Sequence, residues 1–206
     1  MITIFRNIKD TDQPFYKDIV YILHRIRDGA SKDLIKKIRS EKDKSRRNEL
    51  KQGLPAICFS GKFSRRSDAA LVEHSGFIGL DFDGYDRQKD MLQDKEQMKK
   101  NKFVFSVFVS PSGNGLKVIV KIPPEPHNHT NYFNSLKSYF NSDRFDVSCK
   151  NVSRVCYESY DPLIHINENS SVWDSIAEDE HKEVITGDVT IPITNEGKIV
   201  DILVSW

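Results

Sequence analysis

The sequence predicts an α+β protein, and three observations lead to this fold class. Two runs of β-branched and aromatic residues, at 103–109 and 116–122, flank a short Ser/Gly turn, which predicts an antiparallel hairpin. A short apolar run within 75–84, closed by a glycine, predicts a third buried strand. Elsewhere, apolar residues recur at three- and four-residue spacing, which is typical of amphipathic helices.

The first 53 residues are predicted to form a basic, mainly helical N-terminal portion. Ile2 to Phe5 is a candidate short strand. A helix is expected to begin at Asp12–Pro14, to include Phe15 on its apolar face, and to end near residue 27. A second helix is expected to begin at Ser31 and to run into the basic stretch 42–47. That stretch is either a solvated helix face or a contact to nucleic-acid phosphates.

Residues 54–61 predict a strand that ends in a turn. The next residues place two arginines beside an aromatic ring, a combination that suits phosphate or single-stranded nucleic acid. An ordinary surface loop is the alternative. Residues 67–74 are expected to form a short helix that leads into the next strand. The residues predicted to contact nucleic acid are Lys62, Phe63, Arg65 and Arg66.

After the strand predicted within 75–84, helices are expected at 88–100 and 130–140, with short strands near Phe145 and at 154–157. From residue 167 onward the chain is polar and acidic, although 184–193 and 199–204 are candidate late strands. The sequence therefore predicts a core at 54–166, followed by an acidic extension or linker at 167–206.

Composition places the chain among ordinary globular proteins, with 30% charged and 38% hydrophobic residues over 206 positions. No apolar run approaches the roughly 18 residues that a membrane span needs, and the N-terminus lacks the layout of a signal peptide. Cys58, Cys149 and Cys156 lack metal-ligand spacing, so reduced thiols and a cytoplasmic location are expected. His127 and His129 follow three prolines and are expected in a solvated loop.

The formal net charge of +1 conceals an asymmetry between the two ends of the chain. Residues 1–66 hold 17 Lys and Arg against 8 Asp and Glu, whereas residues 157–206 hold 2 against 11. A basic end favours a polyanionic partner. The alternative is that the helices simply carry solvated lysines.

Asp81 and Asp83 are the first candidate site residues. Because side chains alternate along a strand, both would lie on one face, with Cα atoms roughly 7 Å apart. Two carboxylates so close need a positive partner, and a divalent cation bound by oxygen ligands favours Mg²⁺ or Mn²⁺. The alternative is a strand end at which both aspartates face water and cap the following helix.

The turn between the two hairpin strands is the second candidate site. Gly113 and Gly115 can adopt positive φ, so that backbone N–H groups can face an anion. Ser112 adds a hydroxyl, and Lys117 can direct its ammonium to the same place. This pattern resembles a triphosphate cradle without the Walker signature. The alternative is a plain hairpin whose glycines satisfy the turn geometry.

A third acidic residue, Asp146, follows the helix expected at 130–140 and completes an ordered set of motifs. The set is Asp81-Phe82-Asp83, then Ser112-Gly113-Asn114-Gly115-Leu116-Lys117, then Asp146, with flanking segments Leu54-Pro55-Ala56, Ser60-Gly61-Lys62-Phe63, Ser75-Gly76-Phe77-Ile78 and Ser153-Arg154 to Asp161-Pro162. In this order the motifs resemble the archaeo-eukaryotic primase superfamily, the primase–polymerases. The closest match within it is the VirE-like N-terminal domain of mobile-element and phage-type replication proteins, over about residues 54–162.

The resemblance implies an RRM-like, mainly antiparallel sheet with flanking helices, and template-dependent nucleotidyl transfer by two metal ions. It implies catalytic metal ligands at Asp81, Asp83 and Asp146. Nucleotide contacts are implied at Ser110, Ser112, Gly113, Gly115, Lys117 and Arg154, although Arg154 could instead form an ion pair with Asp146 or Glu158. The implied partners are nucleoside triphosphates, a single-stranded DNA template and a replicative helicase, in the replication of a mobile element or phage.

One departure from the superfamily pattern affects activity. The basic position after the turn is usually histidine, and here it is Lys117, which keeps a phosphate-seeking charge without the directional imidazole. A catalytically inactive nucleotide- or nucleic-acid-binding module of the same fold is therefore an alternative. Another is a haloacid-dehalogenase-type phosphatase, with Asp81 as nucleophile and Asp83 as acid/base.

Overall fold

The computed structural model of the chain describes residues 1–176. Its strands are β1 (Ile2–Phe5), β2 (Phe15–Lys17), β3 (Ala56–Cys58), β4 (Gly61–Phe63), β5 (Leu71–His74), β6 (Phe77–Phe82), β7 (Val104–Val109), β8 (Leu116–Lys121), β9 (Cys156–Tyr157) and β10 (His165–Ile166). Its α-helices are α1 (Ile19–Asp28), α2 (Lys32–Ser40), α3 (Lys44–Lys51), α4 (Gln88–Lys99) and α5 (His129–Phe140). No helix in this part of the chain is long and apolar enough to cross a bilayer.

The strands form two four-stranded sheets and a two-stranded ribbon. The first sheet has the order β2-β1-β3-β9, the second has the order β10-β7-β8-β6, and β4 pairs with β5. All pairings between these strands are antiparallel. The predicted α+β class, with antiparallel sheets and flanking helices, is confirmed.

The second sheet contains the predicted hairpin and the strand that was predicted within residues 75–84. β7 and β8 form the hairpin, which closes at the pair Val109↔Leu116. β6 pairs with the other edge of β8 over six residues, from Phe77↔Lys121 to Phe82↔Leu116. This register places Asp81 directly opposite Lys117.

The second sheet is covered on both faces. Alternate residues of β6, namely Ile78, Leu80 and Phe82, belong to a buried cluster with side chains of α4 and α5. Phe77 points to the opposite face of β6 and packs against a second cluster that contains α1 side chains. Because side chains alternate along a strand, Asp81 shares the face of Phe77. The site therefore lies on the side of the second sheet that faces α1 and the first sheet.

Two predicted helices differ from the structure. Phe15 lies in β2 rather than in a helix, and α1 begins later, where the Asp18 carboxylate accepts a hydrogen bond from the Val20 N–H at 2.8 Å. Residues 67–74 form a 3-10 turn at Asp68–Ala70 and then β5, not a helix. In both places a strand partner distant in sequence, β1 or β4, supplies hydrogen bonds that local propensity does not reveal.

The predicted division at residues 53 and 54 stays a prediction. β1 pairs with β3, so the first residues share a sheet with the middle of the chain. At the other end, Trp173 is 8% exposed and belongs to the α4–α5 core cluster. The late strands expected at 184–193 and 199–204 lie outside the described residues.

Candidate functional site

Asp81 and Lys117 form an ion pair across the β6–β8 register. The Lys117 ammonium contacts Oδ2 of Asp81, and the two side chains are only 12% and 15% exposed, in the order Lys117 and Asp81. Burial lowers the pKa of Lys117, but the combined effect of Asp81, Cys156 and Asp83 raises it by more, so the pKa lies above its ordinary value. The charge of Asp81 is therefore compensated by a lysine from the neighbouring strand.

Asp146 lies beside Asp81 because the chain after α5 returns along the end of β6. Phe145 forms a bridge with Phe82, and the Asp146 N–H donates to the Asp81 carbonyl at 2.9 Å. The Cys149 Sγ lies 3.4 Å from Asp81 Oδ2 and 3.2 Å from Asp146 Oδ2. Single ligand atoms of these three residues lie within 4.8 Å of one another, a spacing that a metal ion can bridge.

Asp83 lies one residue beyond β6, on the side of the Ser/Gly turn. Its N–H donates to the Arg144 carbonyl at 2.9 Å. A methyl group at position 115 would overlap Asp83 Oδ1 and lie 2.8 Å from the Phe82 carbonyl oxygen, so glycine there permits the close approach. Burial raises the pKa of Asp83, and although Lys117 opposes this shift, the charges of Asp81 and Asp146 add to it. Asp83 is not among the three residues whose ligand atoms cluster.

A side chain of α2, Arg39, binds the turn between β7 and β8 by hydrogen bonds. Arg39 donates to the carbonyl oxygens of Ser110 at 3.1 Å, Pro111 at 3.3 Å and Tyr160 at 2.9 Å. Gly113 has φ 81°, and its N–H donates to the Ser110 carbonyl at 3.0 Å. The Ser110 hydroxyl is buried and has no hydrogen-bond partner within residues 1–176. A buried hydroxyl without a partner is uncommon, and a ligand oxygen or an ordered water would satisfy it.

An open cleft of about 880 Å³ separates this turn from α3. Three α3 cations, Lys44, Arg47 and Lys51, line one side at helical spacing, and within the described part of the chain they form no salt bridge. Burial lowers the pKa of Lys51, and the like charges of Arg47 and Lys117 lower it further. The opposite side carries Asp83, Ser110, Pro111, Ser112, Asn114, Lys117 and Tyr157. The cleft therefore suits an anion.

A narrow pocket lies on the other side of the Asp81–Lys117 pair. Arg154 lines it, with a guanidinium nitrogen 3.8 Å from Asp146 Oδ2 and 3.4 Å from the Ser148 hydroxyl. The structure thus contains the Arg154–Asp146 ion pair that was the alternative to a nucleotide contact. His129 also lines the pocket and is 2% exposed, so its expected position in a solvated loop was wrong.

The predicted nucleic-acid loop requires one correction. Phe63 lies in β4 and is fully buried against Phe5, Ala56 and Cys58, so it cannot stack on a base. Lys62 stays partly accessible, with its ammonium 5.1 Å from the centre of the Tyr16 ring. Arg65 is exposed and Arg66 is half-buried.

Sequence reasoning missed several residues that shape the site. Cys149 follows Asp146 by three residues, a spacing that brings two side chains together on a tight helical turn. That spacing is the sequence feature that could have indicated Cys149 as a neighbour of Asp146. Arg39 and His129 reach the site only through tertiary packing, and no local pattern marks them. Lys44 and Arg47 belong to the basic stretch 42–47, which the sequence marks as a candidate phosphate contact.

Comparison with known proteins shows the family of the chain. No curated protein sequence matches the chain. Among solved structures, the chain is similar to the AEP domain of the primase–polymerase of cyanophage S-2L, at 17% identity and a TM-score of 0.39, over 64% of this chain and 72% of that one. The family model described as BT4734-like, N-terminal domain, matches residues 49–165. Because this family model matches more than half of the chain, the chain belongs to the BT4734-like N-terminal domain family.

Proposed function

We propose that the chain binds a nucleoside triphosphate in the cleft between α3 and the Ser/Gly turn, and that it transfers the nucleotide to a strand copied from single-stranded DNA. One observation carries the proposal. The Asp81–Asp146 pair and an electropositive cleft adjoin through Lys117, which contacts Asp81 and also lines the cleft. Carboxylates beside a phosphate-binding cleft are the arrangement that nucleotidyl transfer requires.

The cleft residues divide between two tasks. The Ser110 and Ser112 hydroxyls bind phosphate oxygens by hydrogen bonds, and Lys117 neutralises their charge. Gly113 and Gly115 shape the turn, and the Gly113 N–H is already bonded to the Ser110 carbonyl. The α3 cations Lys44, Arg47 and Lys51 attract the triphosphate from the opposite wall. Arg154 serves as a further contact if it leaves Asp146 when a nucleotide binds.

Asp81, Asp83 and Asp146 are the residues that would hold the divalent ions. The carboxylates of Asp81 and Asp146 lie close enough to share one ion, and Asp83 offers oxygen to a second. Cys149 lies beside the pair, but burial raises the pKa of its thiol, so the carboxylates rather than the sulfur suit Mg²⁺ or Mn²⁺. Mg²⁺ or Mn²⁺ suits the carboxylates, and such ions activate a hydroxyl nucleophile and neutralise phosphate charge. Because Lys117 already contacts Asp81, an ion there must share this carboxylate with the ammonium or displace it.

A second candidate function is a binding module that has lost the chemistry. The Lys117–Asp81 contact favours it, because an internal cation compensates the carboxylate without a metal ion. Such a module would bind nucleotides or single strands without synthesis. Replication of a mobile element or phage, with a helicase partner, is the setting that the resemblance implies for either function.

Synthesis from a single-stranded template, with and without primer, tests the proposal. Labelled ribo- and deoxynucleotides are supplied with Mg²⁺ or Mn²⁺. We expect product from the wild type, its loss in Asp81→Asn and Asp146→Asn, and retained single-strand binding in both. Asp143→Asn, an exposed neighbour outside the site, is the matched control. Undiminished synthesis in the Asp81 variant would refute the site. Nucleotide binding without synthesis in the wild type would favour the binding module.

A further inference from the structure

An exposed groove runs between edge strand β2 and the start of α1. Two aromatic side chains line it, Phe15 at 49% exposure and Tyr21 at 47%. Phe15 and Lys17 share one face of β2 because side chains alternate along a strand. β2 and β9 are opposite edges of the same sheet, so this groove is separate from the cleft near β9.

The groove is basic as well as aromatic. Its volume is about 590 Å³, and its lining residues are Ile4, Phe5, Arg6, Phe15, Lys17, Tyr21, Arg25 and Pro55, with no acidic side chain among them. Arg25 is held by Glu158 at 2.7 Å, but Arg6 and Lys17 form no salt bridge within residues 1–176. The Lys17 ammonium lies 5.2 Å from the centre of the Tyr21 ring. Aromatic faces and unneutralised cations therefore occur side by side.

We propose that this groove binds single-stranded nucleic acid, with bases stacked on Phe15 and Tyr21 and phosphates bound by Arg6 and Lys17. A single strand presents unpaired base faces and a phosphate on every nucleotide, which matches alternating rings and cations. The charge of the groove favours nucleic acid over an apolar peptide without acidic residues, because such a peptide would leave Arg6 and Lys17 without a negative partner. The inference rests on the proposed function only in treating the bound strand as the template.

The adjoining surface continues the same chemistry. On the opposite face of β2, the Tyr16 hydroxyl donates to the Phe63 carbonyl at 2.9 Å, and Lys62 lies over the Tyr16 ring. The Arg66 N–H donates to the Thr11 carbonyl at 2.9 Å, which fixes the arginine loop beside the segment that leads into β2. Lys62 and the loop that holds Arg65 and Arg66 therefore lie beside β2, on the face opposite the groove. The groove has exposed aromatic rings, whereas Phe63 is buried.

Fluorescence anisotropy with a labelled oligothymidylate, measured at several salt concentrations, tests the groove. Stacking contributes about 1–3 kcal/mol per base, so we expect Phe15→Ala and Tyr21→Ala each to weaken binding by roughly 5- to 150-fold. Lys17→Ala should weaken it less and should reduce the dependence of affinity on salt. Leu163→Ala, at the most exposed apolar side chain of the described residues, is the control and should bind as the wild type does.

Three outcomes decide the proposal. Unchanged affinity in the folded Phe15→Ala/Tyr21→Ala double variant would overturn it. So would a wild-type dimer that dissociates in that variant in sedimentation, because the groove would then be an interface between copies of the chain. If the double variant fails to fold by circular dichroism, Lys17→Glu with Tyr21→Ser replaces it under the same criteria. Nucleoside triphosphate binding, measured in parallel, should be unchanged, so failure here is distinguishable from failure of the proposed function.

Discussion

The Lys117 ammonium lies on the Asp81 carboxylate, directly across the β6–β8 strand pair. The contact depends on strand register, because a slip of either strand by one residue would turn its side chain to the opposite face and separate the pair. Asp81 thus has a permanent positive partner, which explains how two acidic residues can lie beside a buried thiol. Any divalent ion at this carboxylate competes with an internal cation.

Lys117→Met should therefore have two opposite effects. Without its partner the nearly buried Asp81 carboxylate is uncompensated, and we expect a loss of about 2–4 kcal/mol of stability in metal-free buffer. In Mn²⁺ the variant should recover more stability than the wild type does, since the ion no longer competes with the ammonium. Thermal melts with chelator and with Mn²⁺ measure both effects.

Two comparisons make this experiment specific. Lys36→Met, at an exposed position of α2, should melt as the wild type does in both buffers. The double variant Asp81→Asn/Lys117→Met should be more stable than Lys117→Met in chelator, because it removes the uncompensated charge. Equal Mn²⁺ shifts in the wild type and in Lys117→Met would contradict competition at Asp81.

Gly115→Ala tests whether the turn must approach Asp83 closely. The added methyl would overlap Asp83 Oδ1 and crowd the Phe82 carbonyl, so Asp83 or the turn must move. We expect a loss of about 1–3 kcal/mol in urea denaturation and at least tenfold weaker nucleotide binding by calorimetry. Gly79→Ala is the matched control within β6, since its methyl would meet side-chain carbons at 3.7 and 3.8 Å, ordinary contact distances. If Gly115→Ala binds nucleotide as tightly as the wild type does, the close approach of the turn to Asp83 is not needed for nucleotide binding.

Elements defined by local pattern were predictable from the sequence. The β7–β8 hairpin, β6 and the helices α4 and α5 follow from runs of β-branched residues, from turn glycines and from helical spacing. Phe15 was misplaced because its apolar character fits both a helix face and an edge strand, and only pairing with Ile4 of β1 decides between them. Phe63 was misplaced because the partners that bury it, such as Phe5 and Cys58, belong to other strands.

The site was predictable only in part, for a related reason. The order of acidic motifs along the chain indicated that Asp81 and Asp146 belong together, and the structure brings them together. The Lys117–Asp81 contact depends on the β6–β8 register. The hydrogen bonds from Arg39 to the turn depend on how α2 packs. Neither relationship leaves a periodic signal in the sequence.

The buried Lys95–Asp161 ion pair should contribute strongly to stability. The two side chains are 3% and 6% exposed and lie 2.5 Å apart, and Asp161 Oδ2 also accepts from the Val109 N–H at 2.8 Å. Lys95→Met leaves a buried carboxylate without its cation, so we expect a loss of about 3–5 kcal/mol in urea denaturation. Lys99→Met, which removes the more exposed i,i+3 pair with Glu96 on the same helix, should cost no more than about 1 kcal/mol. Similar losses in both variants would contradict a special role for the buried pair.

The His74–His129 pair should make the protein sensitive to acid. The Gly76 N–H donates to His74 Nδ1 at 3.1 Å, so His74 carries its proton on Nε2 and donates it to His129 Nδ1, also at 3.1 Å. Burial lowers the pKa of His74 to about 4 and that of His129 to about 4. Both rings are therefore neutral in the folded protein at neutral pH.

Between pH 6.5 and about 4, the unfolded chain binds protons at these histidines and the folded protein does not, so stability is full above pH 6.5 and falls as the pH decreases. A shift of this size corresponds to roughly 3 kcal/mol for one histidine, or a melting temperature lower by about 6–12 °C. Melting curves from pH 7.5 to 4.5 measure the fall. His129→Gln should flatten it relative to the wild type, whereas His127→Gln, at an exposed position, should not. Parallel curves for wild type and His129→Gln would show that the acid sensitivity arises from other groups.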